Sequence, residues 1–223
     1  YIRLGLAVHS PDILVTTERF NAGLAADLEN LFAPNSGYDS ISNNTFTGNN
    51  IEQTRYSVYT PAKVILSASY VFREVENINR QKGFISADIE YTSYKWMSFA
   101  SDGEETADTK AYYKPFNQAI DALYKGAFNF RLGGELKFKV LMARLGIAYY
   151  SNPYKDKALK ASRTNLSGGL GYRNKGMFAD ITYVYRMNRD VSFPYRVNAP
   201  RANTFADWKE NKGSILLTVG FKI

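Results

Sequence analysis

Hydrophobic and polar residues alternate along this chain, most strictly between Phe128 and Tyr150. Side chains on a β-strand point alternately to its two faces, so the alternation predicts two strands joined by a short turn near Lys139. One face of this pair carries Leu132, Leu136, Leu145 and Ile147, and the other carries Arg131, Glu135 and Arg144. A soluble sheet alternates in the same way, so the pattern alone does not say which face meets water.

The same alternation recurs elsewhere and predicts an all-β chain of eight strands. The first two strands contain interruptions at Ser10–Asp12 and Thr60–Ala62, which we interpret as bulges or kinks in long strands, because proline is tolerated there. The predicted strands cover about residues 1–20, 51–72, 83–96, 128–138, 141–150, 163–172, 177–187 and 213–223.

The connections between these strands alternate in length. In chain order they are long, short, long, very short, medium, very short and long. One rim of the sheet therefore carries tight turns and the other carries extended loops, which is typical of transmembrane up-and-down barrels whose short turns are periplasmic. If the C-terminus is periplasmic, the long loops are extracellular.

The polarity of the two faces favours a membrane barrel over a soluble β protein, which is the alternative. The leucine-rich face carries no charge in its middle, as contact with lipid requires. The other face carries charges of both signs, which we expect to pair across neighbouring strands and stiffen the wall; the alternative is that they line a polar route. The predicted lumen-lining residues are Arg3, His9, Asp88, Glu90, Arg131, Glu135, Arg144 and Asp180.

Composition narrows the class of protein further. The 223 residues include no cysteine and one histidine, which excludes disulfides and metal sites built from cysteines or several histidines, and we predict no cofactor. The net charge of +7 comes from scattered residues and does not predict nucleic-acid binding. No apolar run approaches the roughly 20 residues of a transmembrane helix. The 17 tyrosines and 14 phenylalanines suit the aromatic girdles of a membrane barrel.

Two apolar stripes with helical spacing lie in the long loops. The first, in the polar segment 21–50, predicts a short amphipathic helix. The second predicts a helix that starts at Pro115 and stops at Gly126. Each stripe either helps to bind a hydrophobic ligand or packs against its own loop. The candidate ligand-binding residues are Leu24, Leu28, Leu31 and Phe32 in the first stripe, and Phe116 and Ile120 in the second.

Several segments resemble one family of membrane proteins. They read GGE and RLGIAYY around the central turn, then NPY, LSGGLGY and FADITYVY, and earlier AADLENLF and TPAK. Together they resemble the C-terminal barrel of the FadL-type outer-membrane transporters of fatty acids and other hydrophobic compounds.

The resemblance implies a fourteen-stranded barrel with an N-terminal hatch. The eight strands here would be the seventh to fourteenth, forming one barrel domain over residues 1–223, with the hatch and six strands missing. A complete eight-stranded barrel, filled by its own side chains, is the alternative.

The resemblance also implies a function. It predicts passive uptake of hydrophobic small molecules, such as long-chain fatty acids, across the outer membrane of a Gram-negative cell. The loop with the first stripe would help to build an extracellular groove, and the second stripe could form its opposing wall. The expected partners are outer-membrane lipid and a hydrophobic ligand. The alternative function is a non-transporting barrel that serves a secretion complex, which adds a protein partner.

An enzyme is not predicted. His9 and Ser10 suggest a lipid-hydrolysing barrel, because nucleophilic catalysis by serine needs a histidine base in reach. Adjacent residues of a strand point to opposite faces, so these two side chains would not meet.

Overall fold

The computed structural model describes residues 1–27, 38–42, 52–72, 82–174, 176–194 and 204–221, with the backbone alone at 24–27, 38–42 and 52. A short 3-10 helix covers Tyr94–Trp96, and the α-helix α1 covers Ala107–Leu123. The strands are β1 (Ile2–His9), β2 (Ile13–Phe20), β3 (Gly23–Asp27), β4 (Tyr38–Ser42), β5 (Glu52–Tyr59), β6 (Lys63–Phe72), β7 (Gly83–Ser93), β8 (Ser98–Ser101), β9 (Gly126–Phe138), β10 (Leu141–Tyr150), β11 (Ser162–Asn174), β12 (Met177–Ser192) and β13 (Ala206–Phe221).

Eight of these strands form one antiparallel sheet in the order β1-β6-β7-β9-β10-β11-β12-β13. The predicted all-β, up-and-down meander is therefore confirmed. The turn between β9 and β10 falls at Lys139, whose φ of 56° lies in the left-handed region. Among the described residues β1 and β13 are the two edges of the sheet, so the closed eight-stranded barrel that the sequence left open is not observed.

The two interruptions in the first predicted strands are strand ends rather than bulges. They lie side by side, because the Thr60 N–H donates to the Asp12 carbonyl at 2.9 Å and the Asp12 N–H donates to Thr60 Oγ1 at 2.8 Å. Pro11 and Pro61 lack the N–H that a continuous ladder needs. Each long strand of the sequence prediction is therefore two strands, and the pairs β1–β6 and β2–β5 belong to separate sheets.

The described chain divides into two compact units. Unit 1 consists of Tyr1–Asp12, Thr60–Met97 and Gln118–Ile223, and it contains the eight-stranded sheet. Unit 2 consists of Ile13–Tyr59 and Ser98–Asn117. It contains the three-stranded sheet β2-β5-β8, the hairpin β3-β4 and most of α1. Unit 2 is thus made from the two long connections, one between β1 and β6 and the other between β7 and β9.

The eight-stranded sheet has an apolar face and a polar face, and the apolar face is the more exposed. Directly paired positions on β9 to β13 form an apolar row of Leu136, Ala143, Leu170, Ile181 and Leu217. Leu170 is 64% exposed and Leu217 71%, whereas on the polar face Glu90 is 8% exposed and Asn129 3%. This distribution is the reverse of the one that a water-soluble protein adopts.

Two further features differ from the sequence prediction or extend it. Part of the predicted loop 188–212 is strand, since β12 continues to Ser192 and β13 begins at Ala206. Asp190 and Trp208 are partners in this extension. No helix in the described part of the chain is long and apolar enough to cross a membrane.

Candidate functional site

The first group of charges on the polar face, the Arg131 cluster, consists of Arg131, Asp88, Glu90 and Asn129. The register of β7 and β9 pairs Asp88 with Arg131 and Glu90 with Asn129. An Arg131 terminal nitrogen donates to Glu90 Oε2 at 2.8 Å, and its Nε lies 3.6 Å from an Asp88 oxygen. Asn129 Nδ2 donates to Glu90 Oε1 at 2.8 Å. The predicted pairing of opposite charges across neighbouring strands is confirmed here.

The second group, the Arg144 cluster, consists of Arg144, Glu135, Asp180 and Lys137. Arg144 Nε donates to Glu135 Oε2 at 2.6 Å, and Nη1 donates to Asp180 Oδ1 at 2.7 Å. Lys137 Nζ lies 3.6 Å from Glu135 Oε1. One arginine therefore joins a carboxylate on β9 to another on β12, which is two strands away from its own strand in the sheet.

A groove of about 540 Å³ on the polar face is lined by members of both clusters. Small residues at directly paired positions, Ser86, Gly133, Gly146 and Ser167, line it as well. Asn165 also lines the groove, and its Oδ1 is buried without a hydrogen-bond partner among the described residues. The charged and hydroxyl-bearing side chains of the lining give this groove a polar surface.

Two predicted lumen residues lie outside both clusters. Arg3 and His9 are on β1, at one edge of the sheet, where they are paired in register with Ser69 and Lys63 of β6. Both are exposed.

The first apolar stripe is a strand where the structure describes it. Leu24 lies in β3 and pairs with Ile41 of β4, so the helix predicted to include Leu24 is wrong at that residue. The backbone N–H and C=O groups of this segment can form hydrogen bonds in a β-hairpin as well as in a helix. The spacing of the apolar residues alone did not distinguish the two structures. Leu28, Leu31 and Phe32 lie outside the described residues.

The second stripe belongs to a helix that is longer than predicted. α1 begins at Ala107, eight residues before Pro115, which lies inside the helix instead of at its start. Phe116 falls in unit 2, and Ile120 falls in unit 1, where its carbonyl accepts a hydrogen bond from the Tyr124 N–H at 2.9 Å. The stripe is therefore divided between the two units.

Unit 2 contains a cavity of about 230 Å³, here called the aromatic pocket. It is lined by Glu18, Thr54, Tyr56, Phe99, Tyr112, Tyr113 and Phe116. The ring of Phe116 is central among these, with centroid distances of 5.6 Å to Tyr112, 6.5 Å to Tyr113 and 6.2 Å to Phe99. The Phe116 ring is tilted at 46–59° to each of these three rings rather than stacked face to face on them.

Polar contacts hold the walls of the aromatic pocket in place. The Tyr56 hydroxyl donates to Glu18 Oε1 at 2.7 Å. This hydrogen bond to a carboxylate, aided by desolvation and by the negative charge of Glu18, raises the pKa of Tyr56. Asn117 of α1 accepts from the Phe99 N–H at 2.8 Å and donates to the Phe99 carbonyl at 3.0 Å. Burial raises the pKa of Tyr113, so this phenol stays neutral over a wider pH range.

Sequence reasoning identified one residue of this pocket, Phe116. The helical spacing of Tyr112, Tyr113 and Phe116 was a signal that could have extended the stripe backwards. Glu18 and Tyr56 gave no local signal, because they meet only through the register of β2 and β5.

No metal centre is evident in the part of the chain that the structure describes. Its histidine, aspartate and glutamate side chains do not form any group of three or more that could hold a metal ion. The side chains of the polar face offer hydrogen bonds and ion pairs, and those of the aromatic pocket offer contact with aromatic rings.

These features define a class of fold: an antiparallel up-and-down β-wall with one apolar face, one charged face and long structured connections. The chain is similar in structure to a FadL homologue from Pseudomonas aeruginosa, with a TM-score of 0.52 and 16% sequence identity. The match covers 99% of this chain and 49% of that structure, so the chain spans about half its length. The likeness shows a FadL-like fold. No protein-family model matches the chain, and a search of curated proteins gives no match.

Proposed function

We propose that this chain forms part of the wall of an outer-membrane β-barrel that admits hydrophobic small molecules by passive diffusion. The observation that carries the proposal is the apolar row across β9 to β13, whose leucines are exposed while Glu90 and Glu135 on the opposite face are buried. Apolar surfaces of this extent on a protein mark contact with another apolar phase. A barrel wall that faces lipid outside and a polar lumen inside accounts for both faces.

The fold supports the same proposal. A FadL-like meander places its strands in a barrel whose closure, in this proposal, needs further strands at β1 and β13. The charges of the Arg131 and Arg144 clusters then face the lumen. The long connections that make up unit 2 are extracellular in this arrangement, and the turn at Lys139 is periplasmic.

The aromatic pocket is the proposed first contact of the hydrophobic compound. It belongs to the long connections and offers apolar rings with a polar rim. The proposed binding roles of Leu28, Leu31 and Phe32 stay predictions.

The test is uptake by intact Gram-negative cells that lack their own carrier for the probe. Cells that express the full-length protein should take up a radiolabelled long-chain fatty acid and a neutral hydrophobic compound of similar size faster than cells with an empty vector. A Phe116→Asp variant, present in the outer membrane at an equal level, should slow uptake several-fold by placing a charge among the rings. Uptake of both probes at the empty-vector rate would contradict the proposal.

A further inference from the structure

The size of the aromatic pocket limits what it can hold. Its volume of about 230 Å³ is below the roughly 300–1,000 Å³ of pockets that enclose drug-sized ligands. A long hydrophobic molecule would therefore place only one end in the pocket. The chemistry of the lining decides which end that is.

The lining is rich in negative electrostatic potential. Five of its seven residues are aromatic, and the face of an aromatic ring is negative. The one ionisable residue besides the tyrosines is Glu18, and none of the seven residues that line the pocket in described unit 2 is basic. A carboxylate head group would find no cation in this lining and would be repelled by Glu18.

Glu18 is available to a ligand. Its Oε1 accepts the Tyr56 hydroxyl, which fixes the direction of the carboxylate and leaves Oε2 for another donor. Among the described residues Glu18 forms no ion pair, whereas Asp102 in the same unit is already paired with Arg55. Within the described part of the chain, the Glu18 carboxylate is therefore not already occupied by a basic side chain.

We propose that the aromatic pocket binds organic cations, with a substituted ammonium head group held against the rings and beside Glu18. A cation over an aromatic face gains attraction from the ring quadrupole, and recognition of quaternary ammonium groups by several rings is a recurring use of this interaction. The inference deepens the proposed function and rests on it, because it names the head group that this first contact prefers among hydrophobic compounds. Cationic amphiphiles are thus preferred over fatty acids at this pocket.

The test compares two water-soluble probes of nearly equal shape, choline and its neutral isostere 3,3-dimethylbutan-1-ol, with hexanoate as the anion. Binding to the full-length protein in a non-ionic detergent is measured by isothermal titration calorimetry. Choline should bind about tenfold more tightly than the isostere, and hexanoate more weakly than either. Equal binding of choline and the isostere, or tighter binding of hexanoate, would overturn the inference.

Single substitutions test whether the preference for choline arises in the aromatic pocket. Glu18→Gln should weaken choline binding about threefold, a modest loss because Glu18 is exposed, and should leave the isostere unchanged. Glu104→Gln makes the same change of charge at an exposed residue of unit 2 outside the pocket and should change neither. Phe116→Leu keeps an apolar side chain without a ring and should weaken choline more than the isostere. Equal effects of Glu18→Gln and Glu104→Gln would place the attraction outside the pocket.

The two proposals fail separately. Uptake of the neutral hydrophobic probe by cells tests the barrel function and does not depend on the charge of the pocket. If that uptake occurs but choline shows no preference, the pocket inference is wrong and the transport proposal stands. If choline binds as described but no probe enters cells, the transport proposal is wrong.

Discussion

Arg144 and Glu135 are directly paired across β10 and β9, and the Arg144 Nε donates to a Glu135 oxygen at 2.6 Å. The Glu135 side chain is 10% exposed, so its charge is almost wholly removed from water. Its ion pair therefore compensates a desolvation cost that would otherwise oppose folding.

Replacing Arg144 with methionine should destabilise the protein by about 2 kcal/mol, because it leaves two carboxylates, Glu135 and Asp180, without their shared cation. Urea-dependent unfolding of the reconstituted full-length protein measures the loss. Adding Glu135→Gln to Arg144→Met should cost less than the sum of the two single changes.

The matched control is Lys110→Met, which breaks an ion pair with Glu105 in which both side chains are more than 60% exposed. We expect a loss below about 0.5 kcal/mol, because exposed ion pairs contribute little. Similar losses of stability in Arg144→Met and Lys110→Met would show that burial of Glu135 does not increase the contribution of its ion pair to stability.

Two neighbouring residues on β13 test which face of the sheet meets lipid. Leu217 ends the apolar row and Thr218 is on the polar face, paired with Asp180. Leu217→Arg should cost about 2–4 kcal/mol of folding into lipid vesicles, whereas Thr218→Arg should cost less than about 1 kcal/mol, because it gains an acidic neighbour. Equal costs, or a larger cost at Thr218, would contradict the assignment of the apolar face to lipid.

The strand pattern was predictable because burial in a two-faced sheet repeats every two residues, a signal that lies within each segment. That signal also placed opposite charges on one face. It did not specify the partners: it predicted pairing across neighbouring strands, and only the register shows that Arg131 lies beside Asp88 of β7. Pairing between distant strands is a property of the register, which no local segment encodes.

The aromatic pocket could not be predicted for the same reason. Its walls come from β2, β5, β8 and α1, and these elements are separated by as many as 98 residues, as between Glu18 and Phe116. The sequence predicted a helix at Phe116 but placed its start too late, because proline is typical of a first helical turn and Pro115 therefore indicated that start. The turns of α1 before Pro115 carry Tyr112 and Tyr113, and the rings of these two residues pack against Phe116.

Tyr154, in the connection between β10 and β11, should make stability depend on pH in the alkaline range. Burial raises its pKa to about 12, with a smaller contribution from Tyr124, whose ring stacks on it at 5.1 Å. An unfolded tyrosine ionises near pH 10. Between these values the folded state holds the proton that the unfolded state has lost, so stability should fall as the pH rises from about 10 to about 12.

Unfolding of the wild type and of Tyr154→Phe, measured at intervals from pH 9 to pH 12, isolates this contribution from the other tyrosines. The variant should lose less stability across the interval than the wild type. Tyr112→Phe is the control, because Tyr112 is 59% exposed, and it should behave as the wild type does. A steeper loss in Tyr154→Phe would reverse the expected sign.

Asn117 should control the aromatic pocket without lining it. Its side-chain amide binds both the N–H and the carbonyl of Phe99, and thereby fixes β8 against α1. Asn117→Ala leaves both backbone groups without this partner, which should destabilise unit 2 by about 1–3 kcal/mol and weaken choline binding several-fold. Hydrogen exchange at the Phe99 amide measures the first effect and calorimetry the second.

Asn117→Asp keeps the acceptor for the Phe99 N–H but loses the donor, so its effects should be intermediate. If Asn117→Ala speeds exchange at Phe99 but leaves choline binding unchanged, the position of the Phe99 ring does not determine the affinity of the pocket.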